Sequence, residues 1–190
     1  STYNTAVGNS AGLLLTTGVQ NTLIGGLAGD AITTAANNTA VGYASLGANT
    51  TGTSNTAVGK SALAANITGS NHTALGKDAL LVSTAGGYDT ALGDSVLKAN
   101  TSGNYNTAVG YLALQNNTTA SSNTAVGMNA LTTTISSTAQ TAVGYNALRL
   151  ATGHYNTALG YEALGSNSTA TENVAIGANA AASTTTGNLN

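Results

Sequence analysis

The chain contains no cysteine, no proline, no tryptophan and no phenylalanine. Of its 190 residues only ten are charged, four Lys or Arg and six Asp or Glu. Each absence excludes something. Without cysteine there is no disulfide framework and no thiolate metal site. Four scattered cations and a net charge of −2 cannot build the phosphate-neutralising patch that nucleic acid requires. The fully apolar runs are a few residues long, far short of the roughly 20 of a membrane-spanning helix, so no membrane insertion is expected. A charged fraction of 5% is well below the ordinary value of about 25%. Yet disordered chains carry high charge and few branched apolar residues, and here Val, Leu and Ile recur on schedule.

What is present is a repeat. Ala, Thr, Gly and Asn fill 115 of the 190 positions, and the tetrapeptide Thr-Ala-(Val/Leu)-Gly keeps returning. Its glycines are Gly8, Gly25, Gly42, Gly59, Gly76, Gly93, Gly110, Gly127, Gly144, Gly160 and Gly177. The spacing is 17 residues except between Gly144 and Gly160, where it is 16 and one residue is missing near Leu150 to Gly153. Asn stands four before the Gly in eight repeats, with His72, Asp89 and Gln140 as exceptions. Thr stands three before it except at Val174, Ala two before it except at Leu23, and Val, Ile or Leu one before it in every repeat. Leu stands four after it from Leu46 to Leu164. A polar stretch such as Asn49-Thr50-Thr51-Gly52 closes the unit.

Periodicity of this kind marks a stacked-repeat architecture. Helices are disfavoured because Gly and Thr/Asn/Ser clusters cut every unit. The expectation is an all-β fold: a parallel β-solenoid (β-roll) of eleven 17-residue coils. Asn-Thr-Ala-Val forms one short strand, Ala-Leu a second, and Asn-Thr-Thr-Gly the return turn. Coils stacked at about 4.8 Å would span on the order of 50 Å. Stacking turns columns into ladders of like residues, which suits Asn, disfavours charge and excludes Pro.

Alternation along the strand places Val58 or Val109 on one face with Thr56 or Thr107, and Ala57 or Ala108 on the other. Val is expected to face inward and Ala outward. The outward Ala column would then be a flat surface for another copy, giving self-association, most simply a homotrimer about the fibre axis. A thin monomer with Ala facing in is the competing arrangement. The chain reads as a single repeat domain over 1–190. The repeat is running at Tyr3-Asn4-Thr5-Ala6-Val7-Gly8 and stops part-way at Gly187-Asn188-Leu189-Asn190, which suggests a piece of a longer repetitive shaft.

Asn-Thr-Ala-Val-Gly-Tyr-x-Ala-Leu with its Asn-Thr-Thr-Gly return resembles repeats of phage tail fibres and related virion or surface fibres. The last unit, Glu172-Asn173-Val174-Ala175-Ile176-Gly177-Ala178-Asn179-Ala180, is similar to the head repeat of trimeric autotransporter adhesins. Those heads are trimeric parallel β-rolls that bind host surfaces, with coils a few residues shorter. The resemblance covers all eleven repeats. It implies an extracellular location, in a virion tail fibre or a bacterial cell-surface appendage, and a host-surface receptor or glycan as partner. It names no receptor.

Candidate chemistry is sparse. His72 and Asp89 share a column in consecutive repeats and should lie one strand spacing apart, but no nucleophile accompanies them. They read as two replaced rungs of the Asn ladder. His154 falls in the turn of the 16-residue repeat. Two isolated His do not make a metal site, and no cofactor is expected. Asp30, Asp78, Glu162 and Glu172 do not form the carboxylate pair of a glycosidase. Lys77 and Asp94 could pair along the stack, and Tyr43 lies beside Lys60. The eight Tyr occupy two columns, one after the Gly (Tyr43, Tyr111, Tyr145, Tyr161) and five before it (Tyr3, Tyr88, Tyr105, Tyr155). The first four are the candidate surface contacts, as a platform for glycan rings or a neighbouring fibre; the competing role is covering the coil corners. Asn49, Asn66, Asn117 and Asn167 begin glycosylation sequons. The expected function is a structural and adhesive shaft or head of an extracellular fibre, without catalysis. The alternative is a ligand-binding solenoid such as an ice-binding protein, because Thr forms long ladders.

Overall fold

The protein is described by a computed structural model covering residues 3–166, 168–183 and 186–187. Among the described residues, eleven three-residue strands, one per repeat, run from Thr5–Val7 to Val174–Ile176. They form a single parallel sheet in strict sequence order. The fold is thus an all-β parallel solenoid. Register matches column to column, with Thr107 opposite Thr124, Ala108 opposite Ala125 and Val109 opposite Val126. The 16-residue repeat keeps this register, Thr141 facing Thr157 and Val143 facing Leu159. Its missing residue is absorbed in the return turn, where the Thr152 hydroxyl bonds the Ser168 carbonyl.

Backbone hydrogen bonds join successive coils around the circumference as well as at the strand. Thr107 N–H donates to the Asn123 carbonyl (2.8 Å), Leu97 N–H to Ala113 (3.1 Å) and Thr101 N–H to Thr118 (2.8 Å). The glycine that ends each strand allows the coils to come this close. Gly110 has φ +128°, and a Cβ built on it would lie 2.7 Å from the Gly127 backbone. An L side chain there meets both a forbidden conformation and a neighbouring coil.

Two expectations are corrected. The Ala-Leu segment is a tight run of turns, so each coil has one strand and not two. Alternate residues there are left-handed, with Leu112 at φ +59° and Leu114 at +50°. Such a conformation costs a non-glycine residue roughly 1–2 kcal/mol. Burying a Leu side chain returns about 1.5–3 kcal/mol, and Leu46, Leu63, Leu80, Leu97, Leu114, Leu131, Leu148 and Leu164 are all fully buried.

The second correction reverses the strand. Ala faces in and Val faces out: Ala57, Ala74, Ala91 and Ala108 are fully buried, while Val7, Leu75 and Leu159 are exposed. A 17-residue coil is thin, and the Leu four after the Gly already occupies its interior. Only a methyl group fits opposite. The Asn column, on the same side of the strand as Ala, also belongs inside. Asn38 N–H donates to Asn21 Oδ1 (3.0 Å) and Asn38 Nδ2 to the Gly52 carbonyl (3.0 Å). These bonds satisfy both the side-chain amide and an otherwise orphaned backbone donor. The outward Ala surface proposed for self-association therefore does not exist. Thr and Val/Leu/Ile face outward instead.

Candidate functional site

Two buried ionisable side chains among the described residues lie together inside the solenoid. His72 and Asp89 occupy consecutive rungs of the Asn ladder, His72 Nδ1 lying 3.5 Å from Asp89 Oδ2 with neither side chain exposed. Asp89 is well held. Its Oδ1 accepts from Asn106 N–H (2.8 Å) and Nδ2 (3.1 Å), and its Oδ2 accepts from Asn100 Nδ2 (3.0 Å). Burial nevertheless dominates and pushes its carboxyl up to about 7. Burial pushes His72 down to about 4, and neither ring nitrogen makes a good hydrogen bond. The pair has no contact with solvent through which a substrate could reach it. It replaces two ladder rungs, as its column predicts.

His154 sits at the surface turn, its Nδ1 accepting from Thr138 N–H at 3.1 Å. Lys77 reaches Asp78 (3.6 Å), which Lys98 also approaches (3.4 Å). Asp94 is engaged by the Ser95 hydroxyl at 2.6 Å, so the Lys77–Asp94 ion pair is absent among the described residues. No three His, Asp or Glu side chains converge among the described residues. Asn49, Asn66 and Asn117 are buried in a second Asn ladder, where Asn66 Nδ2 donates to Asn49 Oδ1 (3.0 Å). That burial places these sequons out of reach of an enzyme acting on the folded chain. Asn167, like Asn188, Leu189 and Asn190, lies outside the described residues.

Three surface features remain. The first is the outward face of the sheet. Its two columns are Thr5 to Thr157, ending in Val174, and Val7 to Ile176. Neither column contains a charged residue over eleven strands. It is a flat, continuous strip of methyl groups and hydroxyls about 50 Å long at the usual strand spacing.

The second feature is the Tyr columns that border this face. Tyr43, Tyr111, Tyr145 and Tyr161 are all exposed. Adjacent rungs stack. The Tyr145 and Tyr161 rings lie 5.3 Å apart and 12° from parallel, and Tyr88 and Tyr105 lie 5.2 Å apart at the same angle. Tyr43 makes no cation–π contact with Lys60.

The third is a small, shallow concavity of about 60 Å³, lined by Asn146, Arg149, Glu162, Gly165, Ser166 and Ala182, with Tyr161 next to Glu162 in the chain. Its origin is legible by column. Five after the repeat Gly, Arg149 is followed by Gly165 and then Ala182, so a long side chain overhangs a position that has none. Two after the Gly, Asn129 Nδ2 donates to Asn146 Oδ1 (3.2 Å), whose Nδ2 donates to Glu162 Oε1 (3.3 Å). The Tyr161 phenol is held above its ordinary range, first by the charge of the neighbouring Glu162 carboxylate, then by desolvation, and after these by a hydrogen bond to Glu162. The sequence places Glu162 alone in its column and gives Arg149 no role. The signal that could have joined them is the Arg-Gly-Ala succession in one column beside Asn-Asn-Glu in another.

The chain matches no family model, no curated protein and no solved structure. The surface must therefore carry the functional reading. Among the described residues, no helix is long and apolar enough to cross a membrane.

Proposed function

We propose that this protein is a structural and adhesive segment of an extracellular fibre, a virion tail fibre or a bacterial surface appendage, built by self-association into a homotrimer. The observation that carries the reading is the charge-free outward face of the sheet. Exposed continuous apolar patches larger than a few hundred Å² are rare on monomers and mark association surfaces. Side chains in matched ladders present the same pattern at every coil, so contacts made at one level repeat along the length. Tyr-rich borders fit the composition of association rims. The resemblance of the repeat to fibre and adhesin-head repeats points the same way, and no catalytic step is assigned.

Sedimentation equilibrium tests the assembly. A trimer is expected at micromolar chain concentration, and a monomer at every concentration overturns it. A second reading has its own supporting observation. A Thr column runs outward from Thr5 to Thr157, although an ice-binding face would present a second Thr column where this chain has Val, Leu or Ile. Thermal hysteresis from a monomeric sample would favour that reading over a fibre.

A further inference from the structure

We infer that the small concavity lined by Glu162 and Arg149, together with the exposed Tyr161 ring next to it, is a binding site for a neutral hexopyranose ring of a surface glycan. The inference rests on the adhesive half of the reading above and not on the trimer.

Saccharide rings offer an apolar C–H face and a girdle of hydroxyls that each donate and accept. The site offers the matching set. In the column after the repeat Gly, Tyr145 covers one face of the Tyr161 ring, and the next residue on the other side is Ala178. One aromatic face therefore stands open beside a methyl group, and Tyr161 is 50% exposed. Aromatic faces of this kind take apolar ligand surface while their hydroxyls stay wet. Around the corner, Glu162 is held as an acceptor by Asn146, itself held by Asn129. An acceptor fixed by a hydrogen-bonded chain needs little further ordering to bind.

Arg149 supplies the donors. It lines the same dip as Glu162 but makes no ion pair with it, and its guanidinium bonds nothing among the described residues. Five N–H groups are thus free to meet hydroxyl oxygens. Gly165 forms the floor. A Cβ there would sit 3.1 Å from the Glu162 carbonyl oxygen and would begin to fill the dip. The site combines a cation with an anion across a small gap. That balance suits a neutral sugar better than an acidic one, for which the carboxylate would be repulsive. Tyr111, in the same column, is followed by Leu112 and has no such neighbours.

The test is ligand-observed saturation-transfer NMR with the full chain and four probes: the methyl glycosides of glucose, galactose and mannose, and sialyllactose. At least one neutral glycoside should bind in the millimolar range, with transfer strongest at its ring C–H protons. Tyr161→Ala and Glu162→Gln should each weaken that binding at least fivefold, and Tyr111→Ala should leave it unchanged. The inference is overturned if no neutral glycoside binds, if Tyr161→Ala binds as well as the parent, or if sialyllactose alone binds. Sedimentation of the same samples reports the assembly separately, so a trimer that binds no sugar sinks this site while sparing the fibre. Circular dichroism of each variant guards against loss of fold. Gly165→Ala, which crowds the dip without touching Tyr161, provides a second variant should Glu162→Gln unfold.

Discussion

A buried His and a buried Asp on adjacent rungs of an amide ladder have opposite effects on the pH dependence of folding. Asp89 is raised from 3.8 to about 7 in the folded chain, so alone it would lose stability as pH rises through that interval. His72 is lowered from 6.5 to about 4, so alone it would lose stability as pH falls through its own interval. Between pH 4 and 6.5 the folded pair holds one proton, on Asp89, and the unfolded pair holds one, on His72. The contributions cancel, and the parent should have a nearly flat stability profile in this window. Each single variant should expose one slope. Asp89→Asn should become more stable as pH rises from 4 to 6.5, and His72→Asn less stable, each by up to roughly 1 kcal/mol per pH unit. His72→Asn with Asp89→Asn restores an unbroken Asn ladder and should be flat again. Urea midpoints across the window decide it. Parallel slopes in the two single variants would show that the residues do not titrate as a buried pair.

At the scale of one coil, the interior is governed by volume shared between two columns. Where the Leu four after the Gly is replaced by Gly12 and Gly29, the Ala column is interrupted by Leu23. The exchange is physical. A Cβ on Gly12 would lie 2.8 Å from Leu23 Cδ1, and one on Gly29 2.8 Å from both Leu23 Cδ2 and Ile32 Cδ1, so Leu23 shares that space with Ile32. Leu23 therefore helps to fill from the strand side the space that Leu fills from the turn side in later coils. Leu23→Ala should cost about 2–5 kcal/mol through the cavity it leaves. Gly29→Leu should also destabilise, by overpacking. Gly29 has φ +54°, close to the +50° of Leu97 and Leu114, so the backbone already suits Leu. The double variant should then recover much of the loss, with a coupling of about 0.5–3 kcal/mol. Additive losses in thermal melts would refute the exchange. This packing also explains what the repeat revealed and what it hid. Period and columns gave one coil per repeat, in-register stacking, and the site of the missing residue. Alternation showed that Thr and Val share a face, but not which face is interior. Hydropathy favours burying Val, whereas Asn21 and Asn38, on the Ala side, need interior partners. The extended Ala-Leu segment was misread because left-handed Leu is rare, and only its burial offsets the conformation. Among the sites, Tyr161 could be placed by column. Its partner Arg149 could not, because the dip exists only where three coils meet at Gly165.

For the whole molecule, the consequence of turning Val outward is that folding and assembly become separable. Had Val lined the core, a charge at Val109 would unfold the chain. In this structure Val109 lies on the half-exposed outer face, while Ala108 beside it is fully buried. Ala108→Asp places an unpaired carboxylate against Leu ladders and should abolish cooperative folding. Val109→Asp should keep its β-sheet circular dichroism, because its carboxylate remains hydrated in the separate chain. Val58→Asp, three coils away on the same face, should behave alike. In the proposed trimer both carboxylates would be carried into the charge-free face between copies, where each is desolvated and, about a threefold axis, approached by its own symmetry mates. Either substitution should weaken self-association at least tenfold, about 1.4 kcal/mol. Both together should give monomers at concentrations where the parent is trimeric. Sedimentation and circular dichroism on the same preparations separate the outcomes. Folded Val109→Asp that still forms trimers would mean that the outward Thr and Val ladders are not the surface through which copies meet.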